Sequence, residues 1–193
     1  MNRFDFTGIV EWSRIPGWFD LSKAVAVQQV VKQLAPGATL VELGSFQGRS
    51  SVAIAAVLPA NSVLHCVDHF EGSVEHRTMQ LDLTNLFQSF QRNIAAFGVK
   101  DRIRVLQMST VEAAGQFAAD SVDLILLDAA HDFDSVRTDL EHWYPKLKPG
   151  GVLFCDDYET AWPGVMKAVE MAGLKGEVVV RALFLHMKPI GRH

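Results

Sequence analysis

The sequence predicts an α/β fold built on a doubly wound, seven-stranded sheet that is mostly parallel and ends in an antiparallel strand. Short apolar runs alternate with stretches of helical spacing between residues 21 and 171, which is typical of parallel strands joined by crossover helices. Two more apolar runs lie within residues 177–187 with almost nothing between them, and strands that follow so closely pair antiparallel. The whole chain, residues 1–193, is expected to form one domain.

Each predicted element has its own signal. Apolar runs bounded by glycine, proline or polar residues predict the strands, and apolar residues three or four positions apart predict the helices. The predicted helices cover residues 21–34, 50–58, 83–97, 111–117, 133–147 and 165–171. The predicted strands cover residues 40–43, 62–67, 103–108, 122–127 and 152–155, followed by the two within 177–187.

Three segments lack such periodicity. Residues 69–82 are polar and are predicted to form a loop, and residues 148–151 (K-P-G-G) are predicted to form a tight turn. Residues 1–20 are expected to lie over the body of the domain as an N-terminal cover. The aromatic side chains expected to pack there are Phe4, Phe6, Trp12, Trp18 and Phe19.

Composition and charge narrow the choice of partner. A formal net charge of −4 and a pI near 5.9, without a basic cluster, argue against nucleic acid and favour a small molecule. No apolar run approaches the length of a membrane span, and the first residues lack a signal-peptide layout, so the sequence predicts a cytosolic protein without a membrane partner.

Cys66 and Cys155 lie in strand-like runs and are expected to be buried and reduced. Monomer and homodimer both stay open.

A strand, a glycine turn and a helix follow one another within residues 39–51, T-L-V-E-L-G-S-F-Q-G-R-S-S. Gly44 and Gly48 permit turn dihedrals and close backbone approach, and the N–H groups that open the next helix can bind an anion. Phe46 stands where the dinucleotide fingerprint has its second glycine, and no Gly-Lys-Ser/Thr ending follows, so neither that fingerprint nor the P-loop fits. The stretch predicts a binding loop, with a plain glycine turn as the alternative.

Polar residues end five of the predicted strands, and parallel strands end at the same edge of a sheet. With the first strand central, the second and third on one side and the fourth and fifth on the other, these ends line a crevice in two halves. Asp68 ends the second strand twenty residues after Gly48, where a carboxylate can accept hydrogen bonds from ribose hydroxyls. A surface aspartate that merely ends a strand is the alternative. Ser109 and Thr110 follow the third strand on the same side.

The other half of the crevice collects Asp128 and His131 after the fourth strand and Asp156 and Asp157 after the fifth. Three converging carboxylates repel one another unless a cation neutralises them, and oxygen ligands favour magnesium, calcium or manganese. Helix N-caps are the alternative for Asp128 and Asp156. His131, three residues beyond Asp128, is predicted to be a general base that takes a proton from a hydroxyl, with a structural histidine as the alternative.

These motifs resemble a known family, the class I S-adenosylmethionine-dependent methyltransferases with their Rossmann-like fold, and among them the metal-dependent small-molecule O-methyltransferases. The run E-L-G-S-F-Q-G-R-S resembles the first motif of the catechol-type enzymes, and D-A-A-H and L-K-P-G-G-V-L-F-C-D-D-Y resemble later motifs. The run from D-A-A-H to K-P-G-G is more similar to the macrolide-sugar O-methyltransferases and to cephalosporin-hydroxylase-like proteins. The resemblance spans about residues 15–189.

The resemblance implies a role for each matching position. Asp68 would hold the ribose of S-adenosylmethionine, and Ser109 and Thr110 the edge of its adenine. His131 stands where the catechol enzymes have a lysine, and Asp157 where they have an asparagine, as in the sugar O-methyltransferases. The methionine part of the cofactor would be held by Glu42, Gly44, Ser45, Gly48 and Ser50. The metal ion would be held by Asp128, Asp156 and Asp157.

The function expected from the sequence is therefore methyl transfer from S-adenosylmethionine to the hydroxyl of a small acceptor. Magnesium would hold and acidify the acceptor oxygen, and His131 would remove its proton. The alternatives are a metal-independent methyltransferase, a hydroxylase-like relative and a non-catalytic nucleotide-binding protein. The missing G-x-G-x-x-G argues against a nicotinamide-binding module. The acceptor stays open, because the chain lacks the large additions that build substrate pockets in bigger relatives.

Overall fold

A computed structural model describes residues 6–191 of the protein, so Phe4 of the expected cover lies outside the described residues. The described residues form one seven-stranded sheet in the order β3-β2-β1-β4-β5-β7-β6. The strands are β1 (Thr39–Leu43), β2 (Val63–Val67), β3 (Ile103–Leu106), β4 (Val122–Leu127), β5 (Leu147–Cys155), β6 (Gly176–Val180) and β7 (Leu183–Met187).

The strand pairing confirms the predicted fold class. β1 pairs in parallel with β2 and β4, β2 with β3, and β4 with β5. β7 runs antiparallel to both of its neighbours, β5 and β6. The central place of β1 also agrees with the prediction. The carboxyl ends of the five parallel strands therefore share one edge, where ligands bind in open sheets of this kind.

Helices pack on both faces of the sheet. They are α1 (Phe6–Ser13), α2 (Leu21–Val31), α3 (Arg49–Ala55), α4 (Val74–Thr78), α5 (Leu86–Ala96), α6 (Thr110–Ala114), α7 (Phe133–Trp143) and α8 (Pro163–Met171). Alternate residues of β4 divide between the two cores: Leu124 and Leu126 pack with α2, α3 and α5, and Ile125 and Leu127 with α6, α7 and α8. Within residues 6–191, no helix has the length and apolar character that crossing a bilayer requires.

Three segments differ from the prediction. The N-terminal region contains the helix α1, although its sequence has no clear period. Tertiary packing, which buries Trp12 completely, stabilises this helix. The predicted loop contains the short helix α4, which begins at the Ser73 cap. The predicted turn at residues 148–151 belongs to β5, which pairs with β4 from Leu147 onward. A register shift between Val122 and Leu124 accommodates those residues.

The N-terminal region packs against α3. The indole N–H of Trp12 donates a hydrogen bond to the Arg49 carbonyl at 2.8 Å, and the Arg49 guanidinium donates to the Gly17 carbonyl at 2.6 Å. The same guanidinium lies over the Trp12 ring, 4.9 Å from its centroid. These contacts hold residues 12–17 beside the loop that follows β1. Elsewhere, Cys66 and Cys155 are buried free thiols, as predicted.

Candidate functional site

A cleft of about 1140 Å³ lies at the carboxyl edge of the parallel strands. It is large enough for a nucleotide-sized ligand together with a small second molecule. Ten of the predicted site residues line it: Gly44, Ser45, Ser50, Asp68, Ser109, Thr110, Asp128, His131, Asp156 and Asp157. Glu42 and Gly48 are not among the lining residues. The strand order thus brings most of the predicted residues to one cavity.

Gly44 allows the end of β1 to touch the end of β4. Its φ is +85°, and a Cβ atom added there would lie 2.1 Å from the Asp128 carbonyl oxygen. Its N–H donates a hydrogen bond to the Val67 carbonyl at 2.9 Å, and the Asp128 N–H donates to the Leu43 carbonyl at 2.9 Å. A side chain at position 44 would force these strand ends apart, so glycine is required by sterics as well as by dihedral angle.

Asp68 organises the loop after β1. One carboxylate oxygen accepts hydrogen bonds from the backbone N–H groups of Ser45 (2.9 Å) and Phe46 (2.8 Å), and the other accepts from Phe70 at 2.6 Å. Phe46 has a φ of +46°, a left-handed conformation that favours glycine. The Asp68 carboxylate therefore stabilises a strained loop. It also lines the cleft, and a carboxylate can accept about four hydrogen bonds, so one site remains for a ligand.

Glu42 lies beneath the loop, with no solvent exposure. Its Oε2 atom accepts hydrogen bonds from the hydroxyls of Ser45 (2.6 Å) and Ser51, and its Oε1 atom is buried without a hydrogen-bond partner among the described residues. Burial raises the pKa of Glu42, although the neighbouring hydroxyls lower it. Gly48 is the N-cap of α3, and an added Cβ would lie 3.0 Å from the Phe90 ring. Both residues thus shape the loop from below.

Ser109 and Thr110 line the cleft after β3, on the same side of β1 as Asp68, and both hydroxyls already have protein partners. Ser109 caps α6 and donates to the Glu112 carboxylate at 2.6 Å. Thr110 donates to the carboxylate of Asp139, on α7, at 2.5 Å. A ligand in this half of the cleft would therefore meet preorganised hydroxyl groups rather than free rotors.

Asp139 is buried, and burial raises its pKa from 3.8 to about 6. The folded state therefore binds the proton more tightly than the unfolded state does. The stability that this proton contributes is present below about pH 4 and is lost as the pH rises through about 6.

We expect the unfolding free energy to fall by up to about 3 kcal/mol over this pH range on account of Asp139. In Asp139→Asn that part of the decline should disappear. Urea denaturation at intervals from pH 4 to pH 7 measures it. Asp134→Asn, on the same helix but with its side chain 82% exposed, is the matched control and should keep the parental slope. If the unfolding free energies of the parent and Asp139→Asn fall equally with pH, the raised pKa of Asp139 is contradicted.

Lys23 lies beside two of the three aspartates, Asp156 and Asp157. Its ammonium nitrogen lies 2.5 Å from Asp156 Oδ1 and 3.8 Å from Asp157 Oδ1. The Lys23 and Asp156 side chains are only 8% and 4% exposed. Burial lowers the pKa of Lys23, but the charge and hydrogen bond of Asp156, with the charges of Asp157 and Asp128, raise it above its ordinary value. The ammonium therefore stays charged within the site.

His131 lies at the other side of Asp157. Its Nε2 atom is 2.9 Å from Asp157 Oδ2, and its Nδ1 atom is 3.8 Å from the carboxylate of Glu75, on α4. Neither nitrogen makes a well-directed hydrogen bond to another described residue. The Trp162 ring packs on the imidazole, with 4.4 Å between centroids. Burial lowers the pKa of His131, but Asp157 and then Glu75 raise it above its ordinary value, which makes the imidazole a stronger base.

The three aspartates differ in their surroundings. Burial raises the pKa of Asp128 well above its ordinary value, and the charges of Asp156 and Asp157 add to the rise. Burial works against ionisation of Asp157 too, but His131 and Lys23 outweigh it and lower its pKa. Asp157 also has a φ of +57°, a conformation that Asp tolerates better than most residues. The alternative of helix N-caps fails for Asp128 and Asp156, because Asp132 caps α7 and Trp162 precedes α8.

The sequence did not indicate the contributions of Lys23, Glu75 and Trp162. For Lys23 a signal existed: it shares one face of α2 with Val27 and Val31, at a spacing of four residues, and a lysine on an apolar face needs a partner. Asp20 caps this helix by accepting hydrogen bonds from the Ser22 and Lys23 N–H groups. The cap fixes where the helix begins and therefore places Lys23 on its first turn. No comparable signal marks the other two.

Comparison with known proteins decides the family. A family model described as a methyltransferase domain matches residues 41–158, more than half of the chain. The chain belongs to this methyltransferase family. The matched residues of the methyltransferase run from β1 to just beyond the end of β5, and so include the glycine loop, Asp68, His131 and the three aspartates.

Among curated proteins, an uncharacterised protein of Sinorhizobium fredii is 28% identical to the methyltransferase over 123 residues. The match covers 62% of this chain but only 13% of that relative's length.

Solved structures share the fold of the methyltransferase at low sequence identity. A Corynebacterium glutamicum protein has a TM-score of 0.72 at 17% identity, with 98% of this chain and 93% of that one covered. An O-methyltransferase from Bacillus cereus, solved in complex with SAH, has a TM-score of 0.69 at 16% identity over 95% and 92% of the two chains. TomG from Streptomyces achromogenes, an O-methyltransferase of tomaymycin synthesis solved with SAM, has a TM-score of 0.67 at 14% identity over 96% and 89%.

Proposed function

We propose that the protein transfers a methyl group from S-adenosylmethionine to a hydroxyl group of a small molecule. The observation that carries the proposal is the two-sided cleft, with the glycine loop and Asp68 in one half and His131 among carboxylates in the other. Its volume of about 1140 Å³ suits the cofactor and a small acceptor together. Two solved structures of the same fold, from Bacillus cereus and Streptomyces achromogenes, are O-methyltransferases that hold SAH and SAM.

The residues of the cleft fit S-adenosylmethionine. Asp68 has acceptor capacity left for ribose hydroxyls, the loop around Ser45 offers close backbone approach, and Ser109 and Thr110 face the half assigned to the adenine. When bound, S-adenosylmethionine supplies an electrophilic methyl group on a positively charged sulfur. The protein contributes mainly by holding both reactants in line, which can lower such a barrier by roughly 7–11 kcal/mol.

His131 is the residue we assign to proton removal. Its Nδ1 atom is buried without a hydrogen-bond partner among the described residues, and we assign to it the uptake of the proton from the acceptor hydroxyl. Asp157, 2.9 Å from Nε2, orients the ring and stabilises the imidazolium that forms. Trp162 restricts the tilt of the ring from one side. As the proton moves to His131, the acceptor oxygen forms its bond to the methyl carbon and the bond from that carbon to sulfur breaks.

The contacts do not fit the magnesium set of Asp128, Asp156 and Asp157. Lys23 holds Asp156, and the acidic and imidazole ligand atoms that converge within 4.8 Å are those of Asp128, His131 and Asp157. Magnesium prefers oxygen ligands, whereas this triad includes an imidazole. Magnesium dependence remains a prediction of the resemblance that these contacts argue against, and the small acceptor and the cytosolic location also remain predictions. No step of the proposed reaction passes through a metal, and Lys23 favours the metal-independent alternative.

Calorimetry with the two cofactor classes tests the proposal. We expect S-adenosylmethionine to bind and NAD to give no heat of binding, because the G-x-G-x-x-G loop is missing. Release of S-adenosylhomocysteine should follow when a panel of sugars, catechols and small hydroxylated metabolites is supplied. Binding of NAD without binding of S-adenosylmethionine would refute the proposal.

Asp68→Ala should weaken the binding of S-adenosylmethionine by about 1–3 kcal/mol, because charged hydrogen bonds to the ribose are lost and the glycine loop loses its anchor. Asp68→Asn keeps the size of the side chain and separates loss of charge from loss of packing. The exposed Asp101 supplies the control Asp101→Ala, which should bind like the parent. If Asp68→Ala binds as tightly as the parent, the ribose assignment is wrong.

A further inference from the structure

A buried lysine is present where the family resemblance implies a metal ion. Lys23 lies on the first turn of α2, and its ammonium contacts Asp156 at 2.5 Å and Asp157 at 3.8 Å. Both side chains of the closer pair are almost inaccessible to water. A lysine so deeply buried is retained only with a charged partner, because desolvation of an unpaired ammonium is costly.

The position of this ammonium conflicts with a divalent ion. An ion coordinated by Asp156 would lie within a few ångströms of the Lys23 nitrogen, and like charges at such distances in a partly buried site repel strongly. The ammonium offers three N–H donors, which suits the carboxylate oxygens on two neighbouring residues. Lys23 therefore supplies fixed positive charge to two of the three aspartates, Asp156 and Asp157, that the resemblance assigns to the metal ion.

We propose that the Lys23 ammonium replaces the divalent cation at this carboxylate cluster, so that the methyltransferase works without a metal. The catalytic part of this inference rests on the proposed function, whereas the exchange of one cation for another concerns the free protein. Lys23 acts as a positioning residue. Its ammonium lies 3.8 Å from Asp157 Oδ1 and attracts that carboxylate electrostatically, while Asp157 Oδ2 contacts His131 Nε2 at 2.9 Å, so the ammonium acts on the base through its partner.

Manganese serves as the probe, because free Mn²⁺ is measured directly by electron paramagnetic resonance. The parent should bind Mn²⁺ no better than the control Lys32→Met, which removes an exposed lysine at the other end of the same helix. Lys23→Met removes the ammonium and leaves the carboxylates, so its Mn²⁺ affinity should rise by at least about tenfold. Neither measurement needs S-adenosylmethionine or an acceptor, so failure of the proposed function would not affect them.

Turnover gives the second measurement. After exhaustive chelation the parent should keep releasing S-adenosylhomocysteine at its original rate, and Lys23→Arg should retain part of that chelation-resistant rate. Lys23→Met should lose activity under chelation and regain some of it with Mn²⁺ or Mg²⁺. A merely structural lysine would not produce this gain of metal response, since lost packing is not restored by an ion.

Two results would overturn the inference: stoichiometric, tight Mn²⁺ binding by the parent, or loss of the parent's activity on chelation with recovery on adding Mg²⁺. If Lys23→Met does not fold, the double variant Lys23→Met/Asp156→Asn removes both members of the buried pair and should fold, and its Mn²⁺ affinity should exceed that of the parent because Asp128, His131 and Asp157 remain without the ammonium. The measurements on the parent need no variant, so they decide the matter in either case.

Discussion

His131→Ala should lower kcat by roughly 10²–10⁴-fold while leaving the affinity for S-adenosylmethionine near that of the parent. The imidazole removes the acceptor proton but lies in the half of the cleft away from Asp68, so cofactor binding does not depend on it. The measurement is S-adenosylhomocysteine release at saturating acceptor, with cofactor affinity followed by calorimetry. The acceptor comes from the panel of hydroxylated compounds.

Two further variants make this result interpretable. His142→Ala removes an exposed histidine of α7, the helix that begins two residues after His131; its ring nitrogen pairs with the Thr138 carbonyl at 2.8 Å, and the variant should turn over like the parent. His131→Gln keeps an amide nitrogen near Asp157 and some packing against Trp162, but an amide cannot take up the proton. His131→Gln should therefore fold like the parent and be as inactive as His131→Ala. Parental turnover per folded molecule in either variant would remove His131 from the mechanism.

The sequence predicted the edge of the sheet better than it predicted the contacts there. Asp68, Asp128 and Asp156 each follow an apolar run directly, and the alternation of strands and helices requires such ends to meet. The order assumed for the first five strands, with β1 central, agrees with the structure. These inferences depend on chain connectivity and the period of apolar residues, which a single sequence displays.

The contacts that the sequence did not indicate come from elements remote in the chain. Lys23 lies 133 residues before Asp156, and nothing in the local pattern of α2 says which strand end the ammonium will meet. Glu75 reaches His131 from α4, a helix of five residues, which is too short for periodicity to show. Periodicity places elements, but it does not show which side chains cross from one element to another.

The secondary structure also departs from the prediction where contacts between remote elements outweigh local composition. The K-P-G-G stretch has the composition of a turn, yet residues 148–151 belong to β5 because β4 offers a pairing edge and a bulge accommodates them. Tertiary pairing outweighed local preference there. At Phe46 the opposite holds: local preference is violated at φ +46°, and the Asp68 carboxylate stabilises the violation through the backbone. Strain of this kind beside a cleft agrees with a binding loop.

Gly44→Ala should destabilise the protein by more than about 3 kcal/mol and abolish measurable cofactor binding. Two penalties combine. A φ of +85° is unfavourable for alanine, and the new Cβ atom would lie 2.1 Å from the Asp128 carbonyl oxygen and 2.8 Å from the Ala129 Cα atom. Backbone atoms cannot rotate away as a flexible side chain can, so the ends of β1 and β4 must separate, and the loop over Asp68 moves with them.

Gly37→Ala is the matched control for this change. Gly37 has a nearly equal φ of +81°, but nothing lies within 4 Å of an added Cβ atom there. It should show the dihedral penalty alone, roughly 1–2 kcal/mol, and bind the cofactor like the parent. The difference between the two variants in urea denaturation then measures the close approach of the strand ends. Equal losses of stability, with binding intact in both, would mean that Gly44 serves its dihedral angle only and that the contact between β1 and β4 does not shape the site.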